Sequence, residues 1–298
     1  MLMQFHHIAP HPRLKSYIEK MWIFKSQGKI PLDDLKLVVP NGNLKLTVSY
    51  QNGIVAELNG TTFQSKEHDI TLTGIINAPV ILDVDQDVPT ETIGIEFNPK
   101  GAYRFFDFPL QEIQNRIYSL KDVLGSSGSR FIEQMNNTPV LSRKIALLQE
   151  FLLRRLSSQN EDSVFEYCVD RNTATRGTVT VKELERKTGY SSRWLNTKFS
   201  EKLGISPKSL SSVIRFSQYY QALVSGGEAA FFRKDFYDLY YDQSHFIQDF
   251  KRFTGLAPTR FEKQANDFCR IYYGKRKFRF LQSQLPGPSL ICGILKSS

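Results

Sequence analysis

Cysteine is scarce in this chain. Cys168, Cys269 and Cys292 are the only three in 298 residues, and no two form a C-x-x-C pair. That excludes a disulfide framework and a cysteine-based zinc site and fits a reducing compartment, so the chain reads as cytoplasmic. Long apolar runs are missing as well, so no membrane span is expected. The first twenty positions carry three histidines and two prolines where a secretory leader needs an apolar core. No Gly-rich phosphate loop is present, and no Ser-His-Asp or Cys-His arrangement is recognisable, so the chain reads as a non-enzyme without cofactor. His6, His7 and His11 are not joined by an H-x-H with partner Glu and later His within the strands, so no metal site is assigned.

Acidic residues thin out along the chain. Residues 1–170 hold 17 Lys+Arg and 20 Asp+Glu, a balance of −3, whereas residues 171–298 hold 22 and 10, a balance of +12. A near-neutral part joined to a strongly basic one points to a polyanionic partner for the second half.

The first hundred residues carry strand signals. Leu44, Leu46, Val48 and Tyr50 alternate with Lys45, Thr47 and Ser49, the period-2 pattern of a half-buried strand. Asn52-Gly53 and then Ile54-Val55-Ala56 predict a hairpin. Further short strands are expected from Asn59-Gly60 onward and at Asp69–Thr73, Val80–Val84 and Thr92–Phe97, which favours a small barrel or sandwich. Trp22, Phe24, Tyr50 and Phe97 sit at strand spacing and serve a core or line a pocket. Short helices are expected at 110–123 and 129–136, with Gly125–Gly128 as a loop. At 140–156, Leu141, Ile145, Leu148, Leu152 and Leu156 form one stripe that packs on its own domain or on the same helix of a second subunit. Residues 161–177, rich in Ser, Asn, Thr and acids, read as a linker.

The second half carries a near-repeat. Phe199 to Pro207 returns 51 residues later as Phe250 to Pro258, and Tyr190 and Leu195 match Tyr241 and Phe246 at the same offset. In the first copy, Thr180 and Glu183 form a capping box, Thr188-Gly189-Tyr190 supplies a turn, and Ser191 caps a helix over 192–203 that ends at Gly204. Leu195, Phe199 and Leu203 share its inward face, leaving Arg193, Asn196, Thr197 and Ser200 outward. Ser206-Pro207 opens a long helix to about Val224. The second copy has an opening helix at 229–238 and a second helix at 242–253. In that second helix Phe246, Phe250 and Phe253 point inward, and Gln243, Ser244, Ile247 and Gln248 outward.

Arg donates twice to guanine and Asn or Gln pairs both ways with adenine, so these outward faces suit base edges in double-stranded DNA. Lys198, Lys202, His245, Lys251 and Arg252 are placed for phosphates. A connecting helix of roughly 27 Å, at 1.5 Å per residue, suits readers one duplex turn apart.

Residues 178–262 resemble the DNA-binding domain of the AraC/XylS family of bacterial transcription regulators. The likeness is carried by Gly189-Tyr190-Ser191-Ser192-Arg193-Trp194-Leu195 and by Phe199 through Pro207. In the second unit it is carried by Tyr241-Asp242-Gln243-Ser244-His245-Phe246, Phe250-Lys251 and Gly255 through Pro258. The resemblance implies base contacts by Arg193, Asn196 and Thr197 in the first unit and by Gln243, Ser244 and Gln248 in the second. Two departures stand out. Thr197 occupies a position where the family often has Arg, and neither Leu239 nor Tyr240 supplies the second unit's turn glycine. More loosely, His7-x-x-Pro10, Trp22, Pro40-Asn41-Gly42 and Gly94 through Ala102 resemble the sensor region of a subgroup of these regulators, which implies a cupin-like β-barrel.

The expected fold is therefore α+β with two domains: 1–160 a cupin-like β-barrel plus helices, 161–177 a linker, and 178–265 an all-α domain with two helix-turn-helix units. A basic tail, 266–298, follows, tracking a phosphate backbone or solvated. The expected function is sequence-specific transcription regulation, with room for a small-molecule effector, for RNA polymerase as a partner and for a homodimer through 140–156. The competing readings are a cupin-type metal-dependent enzyme with a DNA-targeting appendage and a non-enzymatic assembly module.

Overall fold

The computed structural model describes residues 3–156, 161–226, 239–240, 242–261 and 267–273. Ten strands come first: β1 (Met3–Ile8), β2 (Ile18–Ser26), β3 (Leu37–Val38), β4 (Leu44–Gln51), β5 (Ile54–Leu58), β6 (Thr61–Gln64), β7 (Ile70–Thr73), β8 (Val80–Val84), β9 (Thr90–Phe97) and β10 (Ile117–Ser119). They form two antiparallel sheets, ordered β1-β2-β9-β4-β7-β10 and β3-β8-β5-β6. The larger sheet is two-sided. Met21, Ile23, Leu44, Leu46, Val48, Ile93, Ile95 and Phe97 share a core with the helices that follow, whereas Trp22 and Phe24 share one with Val38, Ala56, Val80 and Val84 of the smaller sheet. Period-2 alternation sorts these faces.

Asn52-Gly53 does not close a hairpin. It carries the chain from the larger sheet into the smaller, since β4 pairs with β7 and β9 while β5 pairs with β6 and β8. A two-residue type I′ hairpin needs positive φ at both central residues, and only Asn52 has it, at 58°. The tight hairpin lies one strand later, where Asn59 and Gly60 take φ of 52° and 75° and Leu58 faces Thr61.

Nine helices are described: α1 (Leu120–Asn136), α2 (Leu141–Leu156), α3 (Ser163–Ala174), α4 (Val181–Thr188), α5 (Ser192–Leu203), α6 (Pro207–Gly226), α7 (Gln243–Thr254), α8 (Pro258–Phe261) and α9 (Asp267–Tyr273). The expected helix over 110–123 is instead a 3₁₀ turn at Leu110–Ile113, the strand β10, and the start of α1. The left-handed Asn115, φ 52°, separates turn from strand. The expected Gly125–Gly128 loop is absorbed into α1 as a kink at Gly125. The stripe on α2 is buried within the chain: Leu148 and Leu152 are fully covered, and Phe151 stacks on Phe131 at 4.0 Å between ring centroids. That face is therefore not open to a second subunit.

The stretch read as a linker is helix α3. Asp162 caps it by accepting from the Phe165 amide at 3.0 Å, and Phe165, Cys168, Val169 and Asn172 are buried at helical spacing. The start of the stretch read as a tail is α9, which lies against β1, β3 and α6. The opening helix expected at 229–238 and the remainder of the tail lie outside the described residues. The architecture is thus an antiparallel two-sheet β-domain followed by helices, α+β in class.

Candidate nucleic-acid interface

The first helix-turn-helix is assembled by its own caps. Thr180 accepts from the Glu183 amide at 3.1 Å, Ser191 accepts from the Trp194 amide at 3.3 Å, and Gly189 and Gly204 stop their helices at φ 77° and 87°. Leu195, Phe199 and Leu203 are completely buried, which turns Arg193, Asn196 and Thr197 to the exposed side of α5. Asn196 donates to the Ser192 carbonyl at 2.8 Å and Thr197 to that of Arg193 at 3.1 Å. Both side chains are thereby folded back on the helix but remain accessible. Tyr190 stacks on Trp194 at 4.0 Å, with the Lys198 ammonium over the indole at 5.5 Å.

In the second unit Asp242 caps α7, accepting from the His245 amide at 2.7 Å, and Gly255 ends the helix at φ 75°. Phe246, Phe250 and Phe253 pack on Phe216, Tyr219 and Tyr220 of α6, and Gln243, Ser244 and Gln248 are exposed. Lys251 and Arg252 are exposed too. Tyr240 buries its ring against Phe246 and His245, at centroid distances of 5.3 and 5.5 Å, beneath the Arg215 guanidinium. Tyr240 takes no positive φ. His245 lies 4.0 Å from Asp249, whose carboxyl is raised by burial against the opposing pull of His245, Arg215 and Arg252.

Both units rest on the β-domain. Phe199 meets Phe165 at 5.0 Å, and Phe165 meets Tyr103 at 5.3 Å, so one core runs from the larger sheet through α3 into α5. Ser200 donates to Gln111 at 2.5 Å. Lys202, expected at a phosphate, reaches the other way. Its ammonium lies 3.4 Å from Asp162 and 4.2 Å from the centre of the Tyr103 ring. Arg104, 3.2 Å from Glu161, and the Tyr103 hydroxyl, which donates to Glu166 at 2.5 Å, extend this polar seam. Burial and then Glu166 push the Tyr103 phenol up, keeping it a donor. The second unit shares a core with Leu37 and Val39 in and beside β3.

The β-domain holds a second candidate site between its sheets, a cavity of about 80 Å³. Trp22, Phe24 and Phe5 form one wall, Val80 and Leu82 another, and Lys45, Thr47, Thr71 and Thr92 line it with polar groups. Gly94 makes room: a Cβ there would come within 2.0 Å of the Trp22 indole. Beside the cavity lies the completely buried Glu96. Lys20 approaches one of its oxygens at 3.1 Å, and Asn41 and Asn43 donate to the other at 2.7 and 3.1 Å. Burial alone would raise this carboxyl. Lys20 and Lys45 outweigh it and, with hydrogen bonds from Tyr272 and Asn43, hold it at about 2. Sequence reasoning passed over this cluster, although Glu96 alternates with Thr92 and Gly94 on one strand face. Among the described residues no group of three or more His, Cys, Asp or Glu side chains is placed to hold a metal ion.

Residues 6–119 match the profile of a domain of unknown function, DUF6597. No curated protein matches the chain. Among solved structures, the chain is similar to ToxT from Vibrio cholerae, at 12% identity over 80% of this chain and 97% of that one, with a TM-score of 0.43. The cupin domain of an XRE family transcriptional regulator from Enterobacter cloacae is similar at 10% identity, covering 33% of this chain and 99% of that one, TM-score 0.27. The Schizosaccharomyces pombe Cnp3 cupin domain gives 10%, 33%, 66% and 0.26 in the same order. The class rests on the strand pairing and helix caps themselves: an antiparallel two-sheet β-domain carrying one complete helix-turn-helix and, beyond α6, a further capped helix, α7.

Proposed function

We propose that this chain is a cytoplasmic, sequence-specific transcription regulator of AraC/XylS type, in which α5 and α7 enter successive major grooves of double-stranded DNA. Residues 178–265 carry the reading, and α6, about 30 Å long at 1.5 Å per residue, spaces the two helices. The observation that carries this reading is chemical: all six expected base-reading side chains are exposed, on two helices whose apolar faces are buried. Arg193 supplies guanine contacts, Asn196, Gln243 and Gln248 adenine contacts, and Thr197 and Ser244 shorter ones. Lys198, His245, Lys251 and Arg252 serve the phosphates. The barrel cavity receives a small-molecule effector, and the bound protein recruits or blocks RNA polymerase.

The test is selection of binding sites from a random duplex pool by the purified full chain, followed by Arg193→Ala on the selected site. A defined site should emerge, and the variant should lose about 1–3 kcal/mol there, roughly 5- to 150-fold, with little change on unrelated duplex. Equal weakening on both, or no selected site, overturns the proposal.

A further inference from the structure

The barrel mouth is occupied by a residue from the far end of the chain. Helix α9 places Phe268 and Tyr272 among the cavity-lining residues. Tyr272 meets Phe5 at 5.2 Å and Trp22 at 6.0 Å, both edge-on, and Phe268 meets Phe24 at 6.0 Å. The Tyr272 hydroxyl donates to Glu96, and the Lys20 ammonium sits 3.9 Å from the centre of its ring. At the start of the helix, Asp34 accepts from the Phe268 amide at 2.9 Å. Tyr272 therefore makes every kind of contact expected of a bound phenol: aromatic walls, a cation on the ring face, and a buried carboxylate for the hydroxyl.

Two buried polar groups in the same cavity, the Trp22 indole N–H and the Thr92 hydroxyl, have no hydrogen-bond partner among the described residues. Groups of this kind are rare in packed interiors and are satisfied when a polar ligand arrives. They line the space beside Tyr272, so the cavity accommodates more polar contact than Tyr272 itself uses.

We propose that the barrel mouth is a binding site for phenolic small molecules and that Tyr272 is its resident internal occupant. A phenol binds by taking the place of Tyr272, donating its hydroxyl to Glu96, and lifting α9 off β1, β3 and α6. The hydroxyl is what selects the ligand, because removing Tyr272 leaves one oxygen of a buried carboxylate with Lys20 as its remaining donor, and a hydrocarbon cannot restore the lost bond. Because α9 touches α6, the helix between the two DNA-facing units, expulsion also changes what braces the second unit. Only that last consequence rests on the DNA-binding reading.

The experiment uses the full chain, without DNA, and p-cresol, which is the tyrosine side chain as a free molecule, with toluene as its hydroxyl-free counterpart. Calorimetry should show p-cresol binding Tyr272→Ala at least tenfold more tightly than the unaltered chain, and toluene binding the variant at least tenfold more weakly than p-cresol. In the unaltered chain, saturating p-cresol should speed amide exchange across 267–273 at least threefold, while toluene leaves it unchanged. Tyr272→Phe keeps the ring and drops the hydroxyl. It should show faster exchange over 267–273 and serves where the alanine variant does not fold. Equal p-cresol affinity for the variant and unaltered chains, equal affinity for p-cresol and toluene, or exchange over 267–273 indifferent to p-cresol overturns the proposal. None of these readouts involves DNA, so failure to select a DNA site leaves them intact.

Discussion

Lys202 separates two roles that a basic residue on a reading helix can play, and Lys202→Met tests which one it has. Methionine keeps the apolar stem and removes the charge. The Lys202 side chain is 21% exposed, and its ammonium lies 3.4 Å from Asp162 and 4.2 Å from the Tyr103 ring centre. A partly screened ion pair contributes about 0.2–1 kcal/mol and a cation over an aromatic face about 0.5–2 kcal/mol, offset in part by the desolvation of the lysine. The expected loss is about 1–2 kcal/mol of stability, which for a chain of this size lowers the thermal midpoint by roughly 2–3 °C. The assay pairs calorimetric melting with affinity for a random duplex across a salt series. Each phosphate contact contributes about 0.9 to the slope of log affinity against log salt. With Lys202 engaged at the seam between α5 and α3, the slope stays unchanged while the midpoint falls. A slope shallower by about 0.9 with an unaltered midpoint refutes this reasoning and returns Lys202 to the proposed phosphate contacts.

Gly204→Ala should destabilise the chain by about 1–3 kcal/mol in chemical denaturation, because φ is 87° and a Cβ would sit 2.8 Å from the Leu110 carbonyl oxygen. Gly189→Ala, at φ 77° but facing open space, should lose less. Glu96, held at about 2 in the folded chain against an ordinary 4.5, contributes stability that is complete above the unfolded value and is lost as pH falls from there towards 2. Glu96→Gln should therefore be less stable near neutrality but show a flatter acid-denaturation profile between pH 4.5 and 2; an unchanged profile removes Glu96 from the acid response.

The parts legible in the sequence are those in which local chemistry suffices. The caps at Thr180 and Ser191 and the stops at Gly189, Gly204 and Gly255 each act within one helical turn, and the structure sets them where the residue types require. The sorting of α5 and α7 into buried and exposed faces follows from period alone. What escaped are decisions made at a distance. Asn52-Gly53 has the composition of a hairpin turn, yet Gly53 lies against the Ser65 backbone, where a Cβ would come within 1.9 Å of its carbonyl oxygen, and β5 pairs in the other sheet. Polar composition hid α3, whose four buried positions matter only once α5 and the 3₁₀ turn at Ala102–Arg104 are beside it. Cationic composition likewise hid α9, because Phe268 and Tyr272 find their partners more than 170 residues upstream, as at Glu96.

The seam around Phe165, Phe199 and Leu110 also bears on how such chains are recombined. A transplant cut at 177 would expose the apolar undersides of α4 and α5 to water and leave Ser200 without Gln111. A graft that seats both α5 and α7 must carry Leu110–Ile113 and α3 for the first, and Leu37 and Val39 for the second. A self-supporting helical module is thus discontinuous in sequence, comprising short stretches of the β-domain together with the helices from α3 onward.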